Sequence, residues 1–213
     1  MPVSAIAYDF IYLASQSPRR RELLDQIGVR YELLLPDRGD DAEGLEAVIG
    51  DELPEDYVGR VTLAKLWAAF ARHEKRQLPL APILCSDTTV ALSGLIFGKP
   101  ENEAHACEIL MRLQGCTHQV YSAVAVALPG IGCARDDLVS CLRLSVSDVT
   151  LLPMSEHDVE RYVASGECMG KAGAYGIQGR MAAYVQHISG SYSGIMGLPL
   201  CETAQLLRQF GVL

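Results

Sequence analysis

The segment Leu13–Leu24 constrains the fold of this chain more than any other stretch. The apolar run Ile11–Leu13 predicts a buried strand, which stops at small polar residues. Ser17 suits the N-cap of a following helix, and Pro18 suits its first turn. The arginines Arg19–Arg21 then occupy that turn, where the helix dipole is already positive. Free N–H groups and guanidinium groups together favour a bound phosphate, and the alternative is a solvated basic turn.

Strand and helix patterns alternate along the chain, which predicts an α/β fold with a mixed, twisted sheet flanked by helices. Strands are predicted at residues 10–15, 31–35, 83–92, 95–97, 117–128, 138–150 and 181–188. Helices are predicted at residues 18–27, 54–75, 102–113 and 156–165, and a last helix begins at Pro199. Ser155 and Asp158 have the spacing of a capping box. No linker-like stretch is present, so residues 1–213 are predicted to form a single domain, with two lobes around a cleft.

Composition argues against several classes of function. The formal net charge of −8 opposes nucleic-acid binding, and no apolar run is long enough to span a membrane. Asp9 interrupts the first apolar run, so we expect no signal peptide and a cytoplasmic location. Residues 37–52 hold seven acids against one base, Arg38, which leaves the rest near neutral and compatible with a basic pocket. The seven cysteines lack C-x-x-C spacing and are interpreted as structural.

Asp87 is the first candidate for chemistry. It lies within the apolar strand 83–92, where an acid needs a partner, a metal or a catalytic task. The alternative is a strand-end acid bonded to nearby backbone. Lys99 stands between glycine and proline, which suits either a phosphate contact or an exposed turn. Lys65 lies in an apolar helical segment, and its spacing leaves open whether it reaches a site or lies along that surface.

Glycine-rich loops provide the second candidate feature. The run Lys171–Gly179 holds three glycines, which permit left-handed turns and a close approach of backbone to a ligand. Lys171 suits a phosphate, and the Gln178 amide can both donate and accept toward a base edge; the alternative is a structural turn. Ser189–Gly194 is a further loop that could close the same pocket. With no zinc spacing and no nucleophile elbow, metal-assisted attack by water on a phosphate ester is favoured.

Seven ordered motifs resemble those of the Maf family of nucleotide pyrophosphatases, first associated with septum formation. They are L-A-S-Q-S-P-R-R-R-E-L-L (Leu13–Leu24), S-D-T-T-V (Ser86–Val90), G-K-P (Gly98–Pro100), S-G-E (Ser165–Glu167), K-A-G-A-Y-G-I-Q-G (Lys171–Gly179), G-S-Y (Gly190–Tyr192) and G-L-P-L-C-E-T (Gly197–Thr203). The resemblance implies a fold similar to the inosine-triphosphate pyrophosphatases, with the nucleotide in a cleft between two lobes. It implies a nucleotide diphosphatase that cleaves nucleoside triphosphates to monophosphate and pyrophosphate with Mg²⁺ or Mn²⁺. It also implies a homodimer.

The resemblance assigns roles to two kinds of residue. Asp87 corresponds to the family's proton acceptor for water, and we expect it to contact the metal as well. Relatives carry a second metal-holding acid on the loop after the second strand, and Asp40 or Asp41 is the expected equivalent. The residues expected to contact the nucleotide are Ser15, Arg19, Lys65, Thr88, Lys99, Lys171 and Gln178.

Within the family, Thr88 and Gln178 point to the branch that acts on dTTP and UTP. The branch that acts on 7-methyl-GTP lacks the string that contains Gln178 and differs after the catalytic Asp. The Gln178 amide also suits the O4/N3 edge of uracil or thymine. Two alternatives remain: a hydrolase of modified purine nucleotides such as 7-methyl-GTP, and a nucleotide-binding regulator of septum formation.

Overall fold

The computed structural model describes residues 7–37, 44–129 and 142–213. Within these ranges a seven-stranded mixed sheet has the order β2-β1-β3-β5-β6-β7, and β4 pairs with β3. The strands are β1 (Ile11–Leu13), β2 (Tyr31–Leu33), β3 (Ile83–Leu92), β4 (Leu95–Phe97), β5 (Thr117–Ala127), β6 (Leu142–Leu151) and β7 (Val185–Ser189). β1 is parallel to β2 and β3, and the other pairs are antiparallel. The predicted α/β class with a mixed sheet is confirmed.

Helices flank this sheet. Those described are α1 (Pro18–Gln26), α2 (Pro54–Lys75), α3 (Glu103–Leu113), α4 (Glu156–Val163), α5 (Tyr192–Met196) and α6 (Leu200–Gln209). Short 3₁₀ helices lie at Gly44–Glu46, Ala172–Ala174 and Arg180–Tyr184. The predicted capping box is confirmed, because the Ser155 hydroxyl accepts from the Asp158 N–H and the Asp158 carboxylate accepts from the Ser155 N–H.

One local prediction is wrong, and a second is confirmed in position only. The strand predicted at residues 181–188 begins only at Val185, because its partner β6 ends at Leu151 and offers no ladder to the preceding residues. Ser17 takes the N-cap position of α1, but its side chain makes no capping hydrogen bond. The Ser15 hydroxyl instead accepts from the Ser17 N–H at 3.2 Å.

A gap along one edge of β3 positions the functional site. On this edge β1 pairs only as far as Leu84, and β4 begins to pair at Val90. On the opposite edge β5 pairs continuously from Ile83 to Ala91. Among the described residues, no strand covers β3 between Leu84 and Val90 on the β1 side. Side chains of this stretch can therefore reach a common opening from both faces of the sheet.

The core divides on either side of this gap. Before it, Cys85 packs under α2, while Leu84 packs on the opposite face with residues of α1 and α6. After it, Val90 joins a separate cluster with residues of α3 and α4. The arrangement agrees with the predicted two lobes around a cleft.

Two expectations from composition can be compared with the structure. No helix among the described residues is long and apolar enough to cross a membrane. The described cysteines are unpaired thiols, and burial raises the pKa of the Cys85 thiol to about 12, which keeps it protonated. Cys133 and Cys141 lie outside the described residues.

The capping box generates a stability prediction. Ser155→Ala removes the acceptor for a helix N–H and should lower the free energy of unfolding by about 1 kcal/mol. Ser155→Thr keeps a hydroxyl at the N-cap, so it should retain most of that free energy of unfolding. Urea denaturation measures both variants, and equal unfolding free energies for them would contradict the role of the cap.

Candidate active site

A cleft of about 1220 Å³ opens at the gap in β3. All of the nucleotide-contacting residues predicted from the sequence line it, together with the predicted catalytic acid: Ser15, Arg19, Lys65, Asp87, Thr88, Lys99, Lys171 and Gln178. These residues come from the start of α1, the middle of α2, β3, the turn after β4 and the loop before β7. The predicted metal-binding alternatives, Asp40 and Asp41, lie outside the described residues.

The cleft is basic although the chain is acidic. Its described lining holds seven cationic side chains and three acidic ones: Arg19, Arg20, Lys65, Arg72, Lys75, Lys99 and Lys171 against Asp37, Glu46 and Asp87. Burial lowers the pKa of Lys171, and the Arg19 charge lowers it further. Burial likewise lowers the pKa of Arg20, against the opposing effect of Asp87. A bound polyanion would relieve this repulsion between cations.

Asp87 belongs to a network of ion pairs that also includes Lys65, Glu46 and Lys99. Lys65 Nζ lies 2.5 Å from Asp87 Oδ1 and 2.7 Å from Glu46 Oε1. Lys99 Nζ contacts both Glu46 oxygens, at 2.9 and 2.7 Å. Lys65 therefore reaches the site, and the alternative in which it only lies along the apolar surface of α2 is wrong.

Glu46 lines the cleft and contacts Lys65, but it was not among the site residues predicted from the sequence. It ends the 3₁₀ turn Gly44–Glu46, inside the acidic segment from which Asp40 was chosen. Burial opposes its ionisation, but Lys65 and Lys99 outweigh that effect and hold the pKa of Glu46 below its usual value. Because seven acids crowd this segment, no spacing distinguished Glu46 from the others.

Two of the three arginines in α1 face the cleft. Arg19 Nε donates to the Met196 carbonyl at 3.3 Å. Arg20 donates from Nε to the Gly197 carbonyl at 2.8 Å and from Nη1 to Ser15 Oγ at 3.0 Å. These bonds tie the start of α1 to the end of α5. Arg20 was also missed as a site residue, although it lies within the motif that identified Arg19.

Thr88 has a fixed hydrogen-bonding direction. Its hydroxyl lies 2.8 Å from Ser122 Oγ on β5, and Ser122 donates its single hydrogen to the Gly194 carbonyl at 2.6 Å. Thr88 must therefore donate to Ser122, which leaves its oxygen as an acceptor. The sequence predicted Thr88 in the site but not this polarity, because Ser122 and Gly194 are distant in the chain.

Two of the three glycines in the loop with Gln178 pack against protein, and Gly176 lines the cleft. Gly173 has φ +68°, and a Cβ there would lie 2.7 Å from Val90 Cγ2. Its N–H donates to the Gly98 carbonyl at 3.1 Å, which joins this loop to the turn with Lys99. We expected the glycines to let the backbone approach a ligand closely. At Gly173 the backbone instead approaches Val90 on β3. Gln178 at the end of the loop is exposed and lines the cleft.

The predicted closing loop Ser189–Gly194 does not line the cleft. Ser191 Oγ accepts from the Gly194 N–H at 3.0 Å and so caps α5. The cleft is instead lined by the following residues, Ile195–Gly197. This loop contributes indirectly, through the Gly194 carbonyl that orients Ser122.

A buried pair supports the glycine-rich loop from behind. His118 Nε2 lies 2.8 Å from the hydroxyl of Tyr175, which lines the cleft. Burial lowers the pKa of His118 to about 4, although the Asp148 charge acts in the opposite direction. His118 is therefore neutral at pH 7.

The fold and the cleft together define an α/β protein with a cation-rich cleft around one strand carboxylate. The family model described as Maf-like protein matches residues 10–210, so the chain belongs to the Maf family. A relative from Albidiferax ferrireducens, named dTTP/UTP pyrophosphatase, is 57% identical over 204 residues, covering 95% of this chain and 98% of its own. Two further relatives carry the same name. The one from Polaromonas sp. is 57% identical over 206 residues, which cover 97% of this chain and 98% of its own. The one from Cupriavidus pinatubonensis is 58% identical over 202 residues, which cover 95% of this chain and 97% of its own.

The buried histidine generates a pH prediction. Between its ordinary pKa of 6.5 and its folded value of about 4, the unfolded chain binds a proton that folded His118 excludes. The free energy of unfolding should therefore fall as pH decreases through this window, by at most about 1.4 kcal/mol per pH unit from this residue.

Denaturation series at several pH values measure this effect. His118→Gln should show a shallower fall than the wild type between pH 6.5 and 4. His157→Gln changes an exposed histidine on α4 and should follow the wild type. If the His118→Gln and wild-type curves are parallel, the pKa of His118 is not depressed.

Proposed function

We propose that this protein is a nucleoside triphosphate pyrophosphatase that hydrolyses dTTP and UTP to the monophosphate and pyrophosphate. The observation that carries the proposal is the convergence of Asp87, an excess of cations and Gln178 on one cleft. The relatives named dTTP/UTP pyrophosphatase support the choice of nucleotides over the modified-purine alternative.

The arrangement of the cleft fits attack by water on the α-phosphate. Asp87 is the proposed general base, and it lies on a strand edge where a water molecule can approach it. Arg19, Lys99 and Lys171 offer positive charge to the triphosphate and to the departing pyrophosphate. Arg20 and Ser15 are hydrogen-bonded to each other at the start of α1 and extend this anion-binding surface.

The carboxylates of the cleft fit a divalent cation. Asp87 and Glu46 contact the same ammonium group, so their oxygens already share one positive charge. Mg²⁺ is often held by one or two carboxylates together with substrate phosphates and water, and Mn²⁺ also suits carboxylate ligands. Asp87 and Glu46 would hold the ion, which would neutralise charge on the phosphates; Asp40 remains an untested prediction. Lys65 would keep the two acids in place.

Thr88 and Gln178 supply a chemical basis for choosing uracil or thymine. The Thr88 oxygen is left as an acceptor, which matches the N3–H donor of these bases and opposes the N3 acceptor of cytosine. The Gln178 amide can pair with the O4/N3 edge. Sites that hydrogen-bond a base edge in this way discriminate strongly, because the wrong base leaves polar groups unpaired.

Product analysis tests the proposal directly. The protein is incubated with dTTP, UTP, CTP, GTP and 7-methyl-GTP, in Mg²⁺ and separately in Mn²⁺. We expect pyrophosphate with dTMP or UMP. Inorganic phosphate with the diphosphate would place the attack at the γ-phosphate and overturn the mechanism. Nucleotide binding without any product would favour the regulatory alternative.

Asp87→Asn should lower turnover by about 10²–10⁴-fold, because it removes the proton acceptor and keeps the side-chain shape. Asp148→Asn is the matched control, since Asp148 also lies on a strand but does not line the cleft. Steady-state kinetics on UTP measure both variants. Near wild-type turnover in Asp87→Asn would remove Asp87 from the proposed mechanism.

Gln178→Ala should reduce the preference for UTP over CTP, measured as the ratio of their kcat/KM values, by tenfold or more. The fold should be retained, because the side chain is exposed. Gln119→Ala removes a glutamine outside the cleft and should keep the wild-type ratio. An unchanged ratio in Gln178→Ala would exclude Gln178 from base selection.

Three further expectations belong to the same proposal. A cytoplasmic location, a homodimer and a role in septum formation stay predictions, and light scattering of the purified protein tests the dimer. The nucleotide is the expected partner; the absence of nucleic-acid binding is likewise a prediction.

A further inference from the structure

The motif Ser165–Glu167 has no role in the proposed chemistry, yet the Glu167 carboxylate has a defined set of partners. Oε1 accepts from the Tyr162 hydroxyl at 3.0 Å, and Oε2 accepts from the Arg180 N–H at 3.0 Å. The Tyr162 oxygen in turn accepts from the Gly176 N–H at 3.1 Å. We refer to these two side chains as the Tyr162–Glu167 clamp.

The clamp holds the backbone on both sides of Gln178. Gly176 lies two residues before Gln178, and Arg180 lies two residues after it. The single hydroxyl hydrogen of Tyr162 is used on Glu167, so its oxygen is left to accept from Gly176. The Tyr162 hydroxyl and the backbone N–H of Arg180 both donate to Glu167. Its side chain must therefore accept at both oxygens, which a carboxylate can do.

The fit between the clamp and the loop is close. A Cβ at Gly179 would lie 2.0 Å from Glu167 Oε1, so the carboxylate rests against the backbone of the residue that follows Gln178. Tyr162 is buried in α4, whereas Gln178 is exposed to the cleft. The clamp therefore lies behind the loop and is absent from the cleft lining.

We infer that Tyr162 and Glu167 are positioning residues for base selection, which act by fixing the backbone that presents Gln178. The inference rests on the proposed function, in which Gln178 contacts the base. The clamp acts on discrimination between bases more than on the attack at the phosphate, because Asp87, Arg19 and Lys99 come from other elements. Lys171 shares the loop, but its ammonium donates to the backbone carbonyl of Glu167, which side-chain substitutions in the clamp leave in place.

Tyr162→Phe tests this inference by removing one hydroxyl while keeping the ring. Because Gln178 would no longer be held opposite the base edge, we expect the UTP:CTP ratio of kcat/KM to fall by about tenfold. KM for UTP should rise while kcat changes little. Tyr184→Phe is the control. The Tyr184 hydroxyl donates to Asp158, which lies on α4 as Tyr162 does, and it makes no hydrogen bond to the backbone of the loop that carries Gln178.

Glu167→Gln is a second variant, which keeps the side-chain length but leaves one of its two donors without an acceptor. It should shift the ratio in the same direction. Either variant combined with Gln178→Ala should lower the ratio no further than Gln178→Ala alone. Wild-type ratios in both single variants, or losses that multiply with that of Gln178→Ala, would overturn the inference.

This experiment distinguishes failure of the positioning role of the clamp from failure of the proposed function. If the clamp has no positioning role, Gln178→Ala still lowers the ratio while Tyr162→Phe and Glu167→Gln do not. If Gln178 does not select the base, Gln178→Ala itself keeps the wild-type ratio, and the inference fails together with that part of the proposed function. If the wild type releases no pyrophosphate from UTP, the proposed function fails before any variant is compared.

Discussion

The incomplete pairing of β3 is the constraint on which the site depends. Since β1 stops pairing at Leu84 and β4 starts at Val90, a short length of a central strand is open to the cleft on one edge. Continuous pairing with β5 keeps that strand rigid on its other edge. This is why Asp87 and Thr88, which point to opposite faces of the sheet, both line one cavity. A fully paired β3 would have separated the carboxylate from the threonine.

The charges in the cleft fall into two groups, with an overall excess of cations. Asp87 and Glu46 are compensated by Lys65 and Lys99, whereas Arg19 repels both Arg20 and Lys171 in partly buried positions. The first group suits an acid–base and metal function, since its carboxylates lie against ammonium groups. The second suits a polyanion, since an added negative charge would relieve the repulsion. One cavity thus offers different environments for the attacking water and for the phosphates.

The sequence predicted the strands and the long helices and placed most of the cleft residues, but it predicted neither α5 nor the contacts that orient the site. Pro54 marked the start of α2, and an acid inside an apolar strand marked Asp87, because such features conflict with local preferences unless structure or function requires them. Glu46 has no such distinguishing feature, because it is one of seven acids within residues 37–52. Ser122, Tyr162 and Glu167 act through partners distant in the chain or through backbone groups, which spacing alone does not reveal. The start of β7 was misjudged because strand length depends on the partner strand.

Two of the three glycines in the motif Lys171–Gly179 are explained by packing against protein. Gly173 makes room for Val90, and Gly179 makes room for the Glu167 carboxylate. In both cases the missing Cβ lets the loop pack closely against its neighbour on one side of Gln178, whereas Gly176 lines the cleft. Thr88 is oriented in the same manner, by a hydrogen bond from behind to Ser122. In the proposed function, base selection depends on two polar groups, Thr88 and Gln178, whose positions are set by partners outside the cleft lining.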